Sequence, residues 1–250
     1  MQPARIAELL RPFFASSEEK GCHSQQVRRT GEEPAVLSPE LLQCISMYID
    51  ILQRWNARIN LTAIRDEEQI VTRHFGESLF AARHLFPSTN REGHGFSRAA
   101  GGEDKKPASA SEVNRHVAVA DLGSGAGFPG IPLKLWAPYI NLTLIESNHK
   151  KATFLREVVR TLTLTDVNIL CARAETLRPG TFSLVTMRAV ERFEDILAIA
   201  ARLLAPVGRL ALLIGASQAQ LPQRELSDLT WGNALAIPGA NARIFLVGSK

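Results

Sequence analysis

The stretch Asp121–Gly130 reads Asp-Leu-Gly-Ser-Gly-Ala-Gly-Phe-Pro-Gly and decides the fold class of this 250-residue chain. It follows the apolar run Val117–Ala120 and precedes the helix-compatible stretch Ile131–Trp136. This order predicts a strand, a glycine-rich turn and a helix. Such a turn lets backbone N–H groups approach a ligand where a Cβ atom would collide. Open α/β sheets bind nucleotides outside the carboxyl end of a strand, so we expect a nucleotide-like ligand here.

One candidate ligand is a dinucleotide. The spacing Gly125-x-Gly127-x-x-Gly130 matches the dinucleotide fingerprint. Glu146 follows where a ribose-binding acid is expected, about 20 residues after the glycines. The match is a weak signal when it stands alone.

The other candidate ligand is S-adenosylmethionine, with Asp121, Gly123 and Gly125 as the core of the turn. Phe128 and Pro129 favour it, because they occupy positions where a pyrophosphate would need close backbone approach. Proline also removes one N–H donor. S-adenosylmethionine has no phosphate to bind, so we prefer it to a dinucleotide, and we prefer both to a purely structural turn.

The composition is that of a globular protein with a large core. Hydrophobic residues make up 45% of the chain and charged residues 22%, and the net charge is +4. This mild excess of positive charge is compatible with a nucleic-acid partner without requiring one. The three cysteines Cys22, Cys44 and Cys171 are too widely spaced to indicate a disulfide framework or a metal site. No apolar run reaches the roughly 20 residues of a membrane span, and no signal peptide is recognisable. We therefore expect a cytoplasmic protein.

Strand-like and helix-like segments alternate after the glycine turn. The strands read as nearly continuous apolar runs, which is typical of a parallel sheet covered on both faces. Two strand-like runs around Pro238-Gly239 predict a C-terminal antiparallel hairpin. The predicted elements are strands at 117–120, 142–146, 167–171, 182–187 and 209–214, helices at 150–162 and 193–204, and the hairpin at 235–247.

The chain ahead of the turn divides into three parts. Residues 1–37 are predicted to be loosely ordered, apart from a possible short helix at 6–14. Residues 38–86 are predicted to form a helical module, with an N-cap at Ser38 and a capping box that begins at Asp66. Residues 87–115 have the composition of a flexible linker or insertion, and the remaining residues, 116–250, form the main domain.

Several separate motifs resemble one family in the family's own order. This chain is similar to the bacterial small-subunit ribosomal RNA guanine-N7 methyltransferases, also called the glucose-inhibited division protein B family. The matching segments are Trp55-Asn56, Asn60–Asp66, Arg73–Phe75, Asp121–Pro132, Glu146–Asn148, Lys150-Lys151, Phe154–Arg156, Arg173–Glu175 and Arg188–Val190. The chain departs from the family pattern at Glu77, at Met187 and at Ile214, where Asp, Ser and Lys are usual.

The resemblance implies a Rossmann-like class I fold that depends on S-adenosylmethionine, with a mostly parallel sheet. It implies donor contacts from Gly123 and Phe128 in the turn, and from Ala174, Glu175 and Arg188 after later strands. From its own chemistry, Glu146 suits a ribose diol, because a carboxylate accepts hydrogen bonds from both hydroxyls. The predicted donor-binding set is Gly123, Gly125, Phe128, Glu146, Ala174, Glu175 and Arg188.

No acid–base constellation stands out, and the expected reaction needs none. Guanine N7 presents a lone pair and can attack a sulfonium methyl without losing a proton. We therefore interpret His74 and Arg73 as structural or RNA-contacting residues, with a structural role preferred. Arg188 has three candidate partners: the donor, an RNA phosphate and Glu191.

The sequence therefore predicts methylation of N7 of one guanine in 16S rRNA of the small ribosomal subunit. The rival hypotheses are the same fold acting on another substrate, and a regulator that binds the donor without catalysis. The target guanine should be exposed, because the major groove of paired RNA is deep and narrow. Basic residues that could line a phosphate path are Arg54, Arg58, Arg65, Arg73, Lys150, Lys151 and Arg156. Nothing in the sequence fixes the oligomeric state, and we expect a monomer.

Overall fold

The fold was obtained as a computed structural model, which describes residues 1–15, 37–87, 117–189 and 193–250. The predicted linker at 87–115 therefore lies outside the described residues, except for Pro87. No helix within the described ranges is long and apolar enough to cross a membrane.

A mixed β-sheet forms the centre of the molecule, and its strand order is β3-β2-β1-β4-β5-β8-β6. Strands β1 to β5 run parallel, and β8 is antiparallel to β5, β6 and β7. The strands are β1 (Ala118–Leu122), β2 (Asn141–Ile145), β3 (Val167–Leu170), β4 (Phe182–Arg188), β5 (Leu204–Gly215), β6 (Thr230–Trp231), β7 (Leu235–Ala236) and β8 (Arg243–Ser249). The predicted Rossmann-like fold with a mostly parallel sheet and a C-terminal antiparallel hairpin is confirmed.

Helices cover both faces of the sheet, as the apolar strands require. They are α1 (Pro3–Leu10), α2 (Pro39–Asn56), α3 (Glu67–Gln69), α4 (Glu77–Leu85), α5 (Gly130–Trp136), α6 (His149–Thr161), α7 (Phe193–Leu203) and α8 (Gln220–Glu225). A π-helical segment, Ile70–Gly76, joins α3 to α4. One apolar cluster packs α1, α2, α4, α5, α6 and the π-helical segment against one face of the sheet, and a second packs α7 and α8 against the other.

The predicted N-cap at Ser38 is present, and of the capping box predicted at Asp66 the described contacts show the half made by the Asp66 side chain. The Ser38 hydroxyl accepts a hydrogen bond from the Leu41 amide at 3.2 Å, and an Asp66 oxygen accepts one from the Gln69 amide at 2.8 Å. Each cap satisfies an N–H group that has no partner within its helix. These caps fix where the two long helical runs ahead of the glycine turn begin.

Within the segment predicted to be loosely ordered apart from a possible short helix at 6–14, the described residues 1–15 form a helix and a turn that are packed against the protein. Helix α1 packs against α2 and the π-helical segment, and Ile6 and Leu10 are fully buried. Phe13 is buried as well, in the turn that follows α1. The helices ahead of the glycine turn also share the core of α5 and α6 and have no separate core of their own.

The glycine turn lies where the connection order of the sheet reverses. Strand β1 is bordered by β2 on one side and by β4 on the other, so the chain leaves β1 toward β2 and returns later to β4. Ligands of open α/β sheets bind at this switch point, outside the carboxyl ends of the strands. The site should therefore lie at the carboxyl ends of β1 and the strands beside it.

Candidate functional site

Asp121 fastens the glycine turn to the sheet. Its carboxylate accepts hydrogen bonds from the Gly130 amide and the Thr186 hydroxyl, both at 3.1 Å, and its carbonyl accepts one from the Ser124 hydroxyl at 2.8 Å. The side chain is fully buried, and burial raises its pKa to about 6. Asp121 therefore has a structural role: its hydrogen bonds connect the two ends of the turn to each other and to β4.

The amide groups of the turn are largely used within the protein. The Gly123 and Ser124 amides donate to the Ile145 carbonyl at 3.0 and 3.1 Å, and the Gly127 amide donates to the Ser124 carbonyl at 2.6 Å. A pyrophosphate at such a turn needs free amide donors. With the Gly130 amide also engaged by Asp121, this arrangement disfavours a dinucleotide and suits a ligand without phosphate.

Glu146 lies directly beside the turn, at the end of β2. One of its carboxylate oxygens accepts from the Gly125 amide at 2.9 Å, and the other accepts from the Asn148 amide at 2.7 Å. An ionised carboxylate has about four acceptor positions, so each oxygen retains capacity for a ribose hydroxyl. The nearest non-neighbouring atom to a Cβ built on Gly125 is the Gly123 carbonyl oxygen at 3.8 Å, which leaves open space at the turn. These residues fit an adenosine-bearing donor.

Ala174 and Glu175 follow β3, at the same edge of the sheet as Glu146. They lie in the short 3₁₀ turn Ala174–Thr176, in which Ala174 is buried and the Glu175 side chain is exposed. The Arg202 guanidinium donates to the carbonyls of both residues, at 3.4 and 2.9 Å. Their contact with the adenosine part of the donor stays a prediction, and their position at the same edge as Glu146 is compatible with it.

Phe128 differs in its surroundings from the other predicted contacts. Its ring stacks on Tyr48 with centroids 5.3 Å apart and on His74 at 4.8 Å, and it meets Phe75 edge-on at 5.1 Å. The residue is 5% exposed. Its side chain therefore joins the turn to the helices ahead of it, and main-chain atoms are what remains for a ligand contact.

Arg188 ends β4 and enters a buried charged cluster. Its Nε lies 3.3 Å from Oε2 of Glu77, whose side chain is fully buried. Its Nη2 donates to the Arg73 carbonyl at 2.7 Å and to Nδ1 of His74 at 3.0 Å. Burial lowers the pKa of Arg188, against the opposing influence of Glu77. Among the described residues Glu77 is the acidic partner; the proposed partner Glu191 lies outside them.

The His74 imidazole has no lone pair to offer as a base. Because Nδ1 accepts from Arg188, the ring proton must lie on Nε2, which is 2.8 Å from the Thr62 hydroxyl. Burial, then the charges of Arg188, Arg73 and Arg243, lower the pKa of His74 to about 3. The structural interpretation of His74 is the one that this geometry favours.

The imidazole of His74 should stay neutral across the physiological range. We expect its ring ¹⁵N chemical shifts to show an unprotonated Nδ1 and a protonated Nε2 from about pH 5 to pH 8. Its pKa of about 3 in the folded chain lies below the value of 6.5 that is usual for an exposed histidine, so protonation favours the unfolded chain. The stability that His74 contributes is therefore present above about pH 6.5 and is lost as the pH falls toward 3. A titration midpoint near 6.5 in the folded protein would contradict this account.

Two contacts between residues far apart in the sequence, one at the glycine turn and one in the charged cluster, were not predicted. The Tyr48 hydroxyl donates to the Ala126 carbonyl from within the apolar stripe of α2. Arg243, at the start of β8, brings its Nε to 3.2 Å from the same Glu77 oxygen that Arg188 approaches. The hydroxyl of a tyrosine within the apolar stripe of α2 was the available signal for the first contact, whereas the charged cluster had none.

Comparisons with known proteins agree with this geometry. The family model described as rRNA small subunit methyltransferase G matches residues 41–91 and 107–230. A protein named ribosomal RNA small subunit methyltransferase G from Xanthomonas euvesicatoria is 31% identical over 245 residues, covering 95% of each chain. Its namesake from Stenotrophomonas maltophilia is 36% identical over 220 residues, covering 85% of this chain and 86% of its own.

Solved structures are similar over about half of the chain. A ribosomal protein L11 methylase from Lactobacillus delbrueckii has a TM-score of 0.47 and 19% identity, and covers 56% of this chain and 72% of its own. A SAM-dependent methyltransferase from Aquifex aeolicus has a TM-score of 0.44 and 18% identity, with coverages of 54% and 81%.

The family model spans well over half of the chain, and relatives above 30% identity span most of it. The matched residues include the glycine turn, Glu146, Glu77 and Arg188. The chain therefore belongs to the rRNA small subunit methyltransferase G family.

Proposed function

We propose that this protein transfers a methyl group from S-adenosylmethionine to N7 of a guanine in 16S rRNA of the small ribosomal subunit. Membership of the family supports the reaction class and the RNA. The observation that best supports S-adenosylmethionine as the donor is the glycine turn. Its amides are hydrogen-bonded within the protein, which leaves few donors for a phosphate, and the Glu146 carboxylate lies beside it.

The donor would be held at the ends of β1, β2 and β3. Gly123 and Gly125 supply close backbone approach, and Glu146 accepts hydrogen bonds from the ribose hydroxyls. Ala174 and Glu175 border the adenine side. Bound there, S-adenosylmethionine supplies an electrophilic methyl group on a sulfonium centre.

The protein's part in catalysis is alignment and electrostatics. Guanine N7 carries its own lone pair, so a general base is unnecessary. The neutral, doubly hydrogen-bonded His74 matches this requirement, because neither ring nitrogen is free to take a proton. Its role is to hold Arg188 in place at the end of β4, beside the glycine turn.

A basic surface near the turn is suited to the RNA backbone. Trp55 of α2 packs edge-on against Phe154 of α6 with centroids 5.8 Å apart, and its indole N–H donates to Glu157 at 2.9 Å. This contact brings the end of α2 beside α6, and with them the side chains predicted to follow the phosphates. These basic side chains lie on α2, on the loop between α2 and α3, and on α6; they are Arg54, Arg58, Arg65, Lys150, Lys151 and Arg156.

This assignment also implies where the protein works. Ribosomal subunits are cytoplasmic, so we propose a cytoplasmic enzyme whose partner is the small subunit. A monomeric state remains a prediction.

Methyl transfer to small subunits tests the proposal. Subunits from cells that lack this protein are incubated with the purified chain and donor labelled in its methyl group. We expect the label to enter 16S rRNA only when protein and donor are both present. Label in ribosomal proteins, or none in RNA despite measured donor binding, would refute the proposed substrate.

A further inference from the structure

A small cavity lies beside the buried charged cluster, on the far side of β4 from the glycine turn. It occupies about 40 Å³ at the carboxyl ends of β4 and β5, where Arg243 opens the antiparallel strand β8. Its lining includes Ala189, Phe193, Gly215, Gln218 and Arg243. Because adjacent strands are about 4.8 Å apart, the cavity lies one or two strand spacings from the turn. That distance is on the scale of one nucleotide.

The Arg243 guanidinium is positioned by two contacts within the protein and keeps N–H donors for a ligand. Its Nη2 donates to the Leu213 carbonyl at 3.2 Å, and its Nε lies 3.2 Å from Oε2 of Glu77. The Nε atom is close enough to Glu77 for an ion pair, but it is buried and makes no hydrogen bond to any described residue. A guanidinium has five N–H donors, and the described hydrogen bonds account for one of them, from Nη2 to the Leu213 carbonyl.

The cluster carries more positive than negative charge. Arg188 and Arg243 both pair with one oxygen of Glu77, and the Arg73 guanidinium adds a further positive charge that acts on Arg188 and His74. The Arg188 side chain is 9% exposed and that of Arg243 is 20% exposed. A guanidinium removed from water at this depth is costly unless an anion accompanies it. The unmatched charge lies at Arg243, which is the member of the cluster that borders the cavity.

We propose that Arg243 binds a phosphate oxygen of the RNA strand that carries the target guanine. This inference rests on the proposed function and adds a binding residue to it. One phosphodiester carries a single negative charge, which would offset part of the positive charge that Arg188 and Arg243 bring to Glu77. A phosphate held by Arg243 would place its nucleotide on the β4 side of the glycine turn, opposite the donor contacts at β2 and β3. Gln218 and Gly215 give the polar and small surroundings that such a group requires.

The salt dependence of subunit binding tests this assignment without relying on turnover. We expect Arg243→Gln to weaken binding to small subunits and to reduce the slope of log K against log salt concentration by about one, the loss of one phosphate contact. Donor affinity, measured by calorimetry, should be unchanged. The matched control is Arg224→Gln, because Arg224 is an arginine on α8 that is 73% exposed and pairs with Glu225. Its slope should equal that of the wild type.

The alternatives give different results. An unchanged salt slope for a folded Arg243→Gln protein would overturn the proposal, even if methylation slowed. A loss of donor affinity would also overturn it, since the anion would then be the donor's carboxylate. Should Arg243→Gln not fold, Gln218→Glu places a negative charge in the lining of the same cavity and leaves the Glu77 pairs intact. It should weaken subunit binding, and an unchanged affinity would overturn the proposal. Failure of the wild-type protein to bind subunits would instead refute the proposed function.

Discussion

A Gly125→Val protein is expected to fold and to lose S-adenosylmethionine binding. Gly125 has a φ of +55°, and a Cβ there meets nothing closer than the Gly123 carbonyl oxygen at 3.8 Å. The protein itself therefore has room for the side chain, and the branched methyls enter the space beside Glu146 that the donor needs. We expect the donor dissociation constant to rise by about 100-fold or more, equivalent to about 2.7 kcal/mol. Calorimetric titration measures this directly.

The matched control for Gly125→Val is Gly180→Val. Gly180 has a φ of +66°, and a Cβ there has nothing within 4 Å. It precedes β4 at the opposite end of the strand from Arg188. Both substitutions force a branched residue into the left-handed region, which costs about 1–3 kcal/mol. Donor binding should survive in the control. Equal donor affinity in a folded Gly125→Val protein would show that the donor does not lie over this turn.

An Arg188→Ala protein is expected to lose both stability and activity. The change leaves the fully buried Glu77 carboxylate with Arg243 as its remaining described cation, and it strips hydrogen bonds from His74 and the Arg73 carbonyl. Removing one partner of a buried ion pair costs about 3–5 kcal/mol of unfolding free energy. Denaturant unfolding measures the loss, and the methyl-transfer assay should give no product.

An exposed arginine provides the comparison for Arg188→Ala. Arg224 pairs with Glu225 at 3.0 Å, but its side chain is 73% exposed. Surface pairs contribute about 0–1 kcal/mol, so Arg224→Ala should unfold almost like the wild type. Arg188→Lys keeps a charge near Glu77 without the planar fork and should fall between the two. If Arg188→Ala were as stable as Arg224→Ala, the cluster could not be what ties β4 to the helices ahead of the turn.

Local patterns were sufficient to predict most of the fold. Apolar runs gave the parallel strands, because a strand covered on both faces has little room for polar residues. Ser38 and Asp66 marked where helices begin, because a cap is a contact between residues three positions apart. The Pro238-Gly239 turn marked the hairpin for a similar reason. Helix α1 was underestimated because a helix of eight residues has little intrinsic stability, and packing of Ile6 and Leu10 supplies the rest.

The candidate site was predictable where it depends on local chemistry. The turn and Glu146 lie within one strand–turn–helix–strand unit, so spacing alone brought them together. Arg188 and Glu77 are 111 positions apart, and no periodicity connects them. Phe128 was assigned to the donor from the family resemblance, and the sequence could not reveal that its ring stacks on both Tyr48 and His74. Pairings of this kind follow from the tertiary fold.

The identity of the methylated nucleoside tests the central claim most directly. Small subunits labelled by the purified protein are digested to nucleosides and to defined RNA fragments, and both are analysed by mass spectrometry. The account predicts N7-methylguanosine at one position of 16S rRNA, with no label when Gly125→Val replaces the wild-type protein. A methyl group on another base, on a guanine atom other than N7 or on many positions would contradict it.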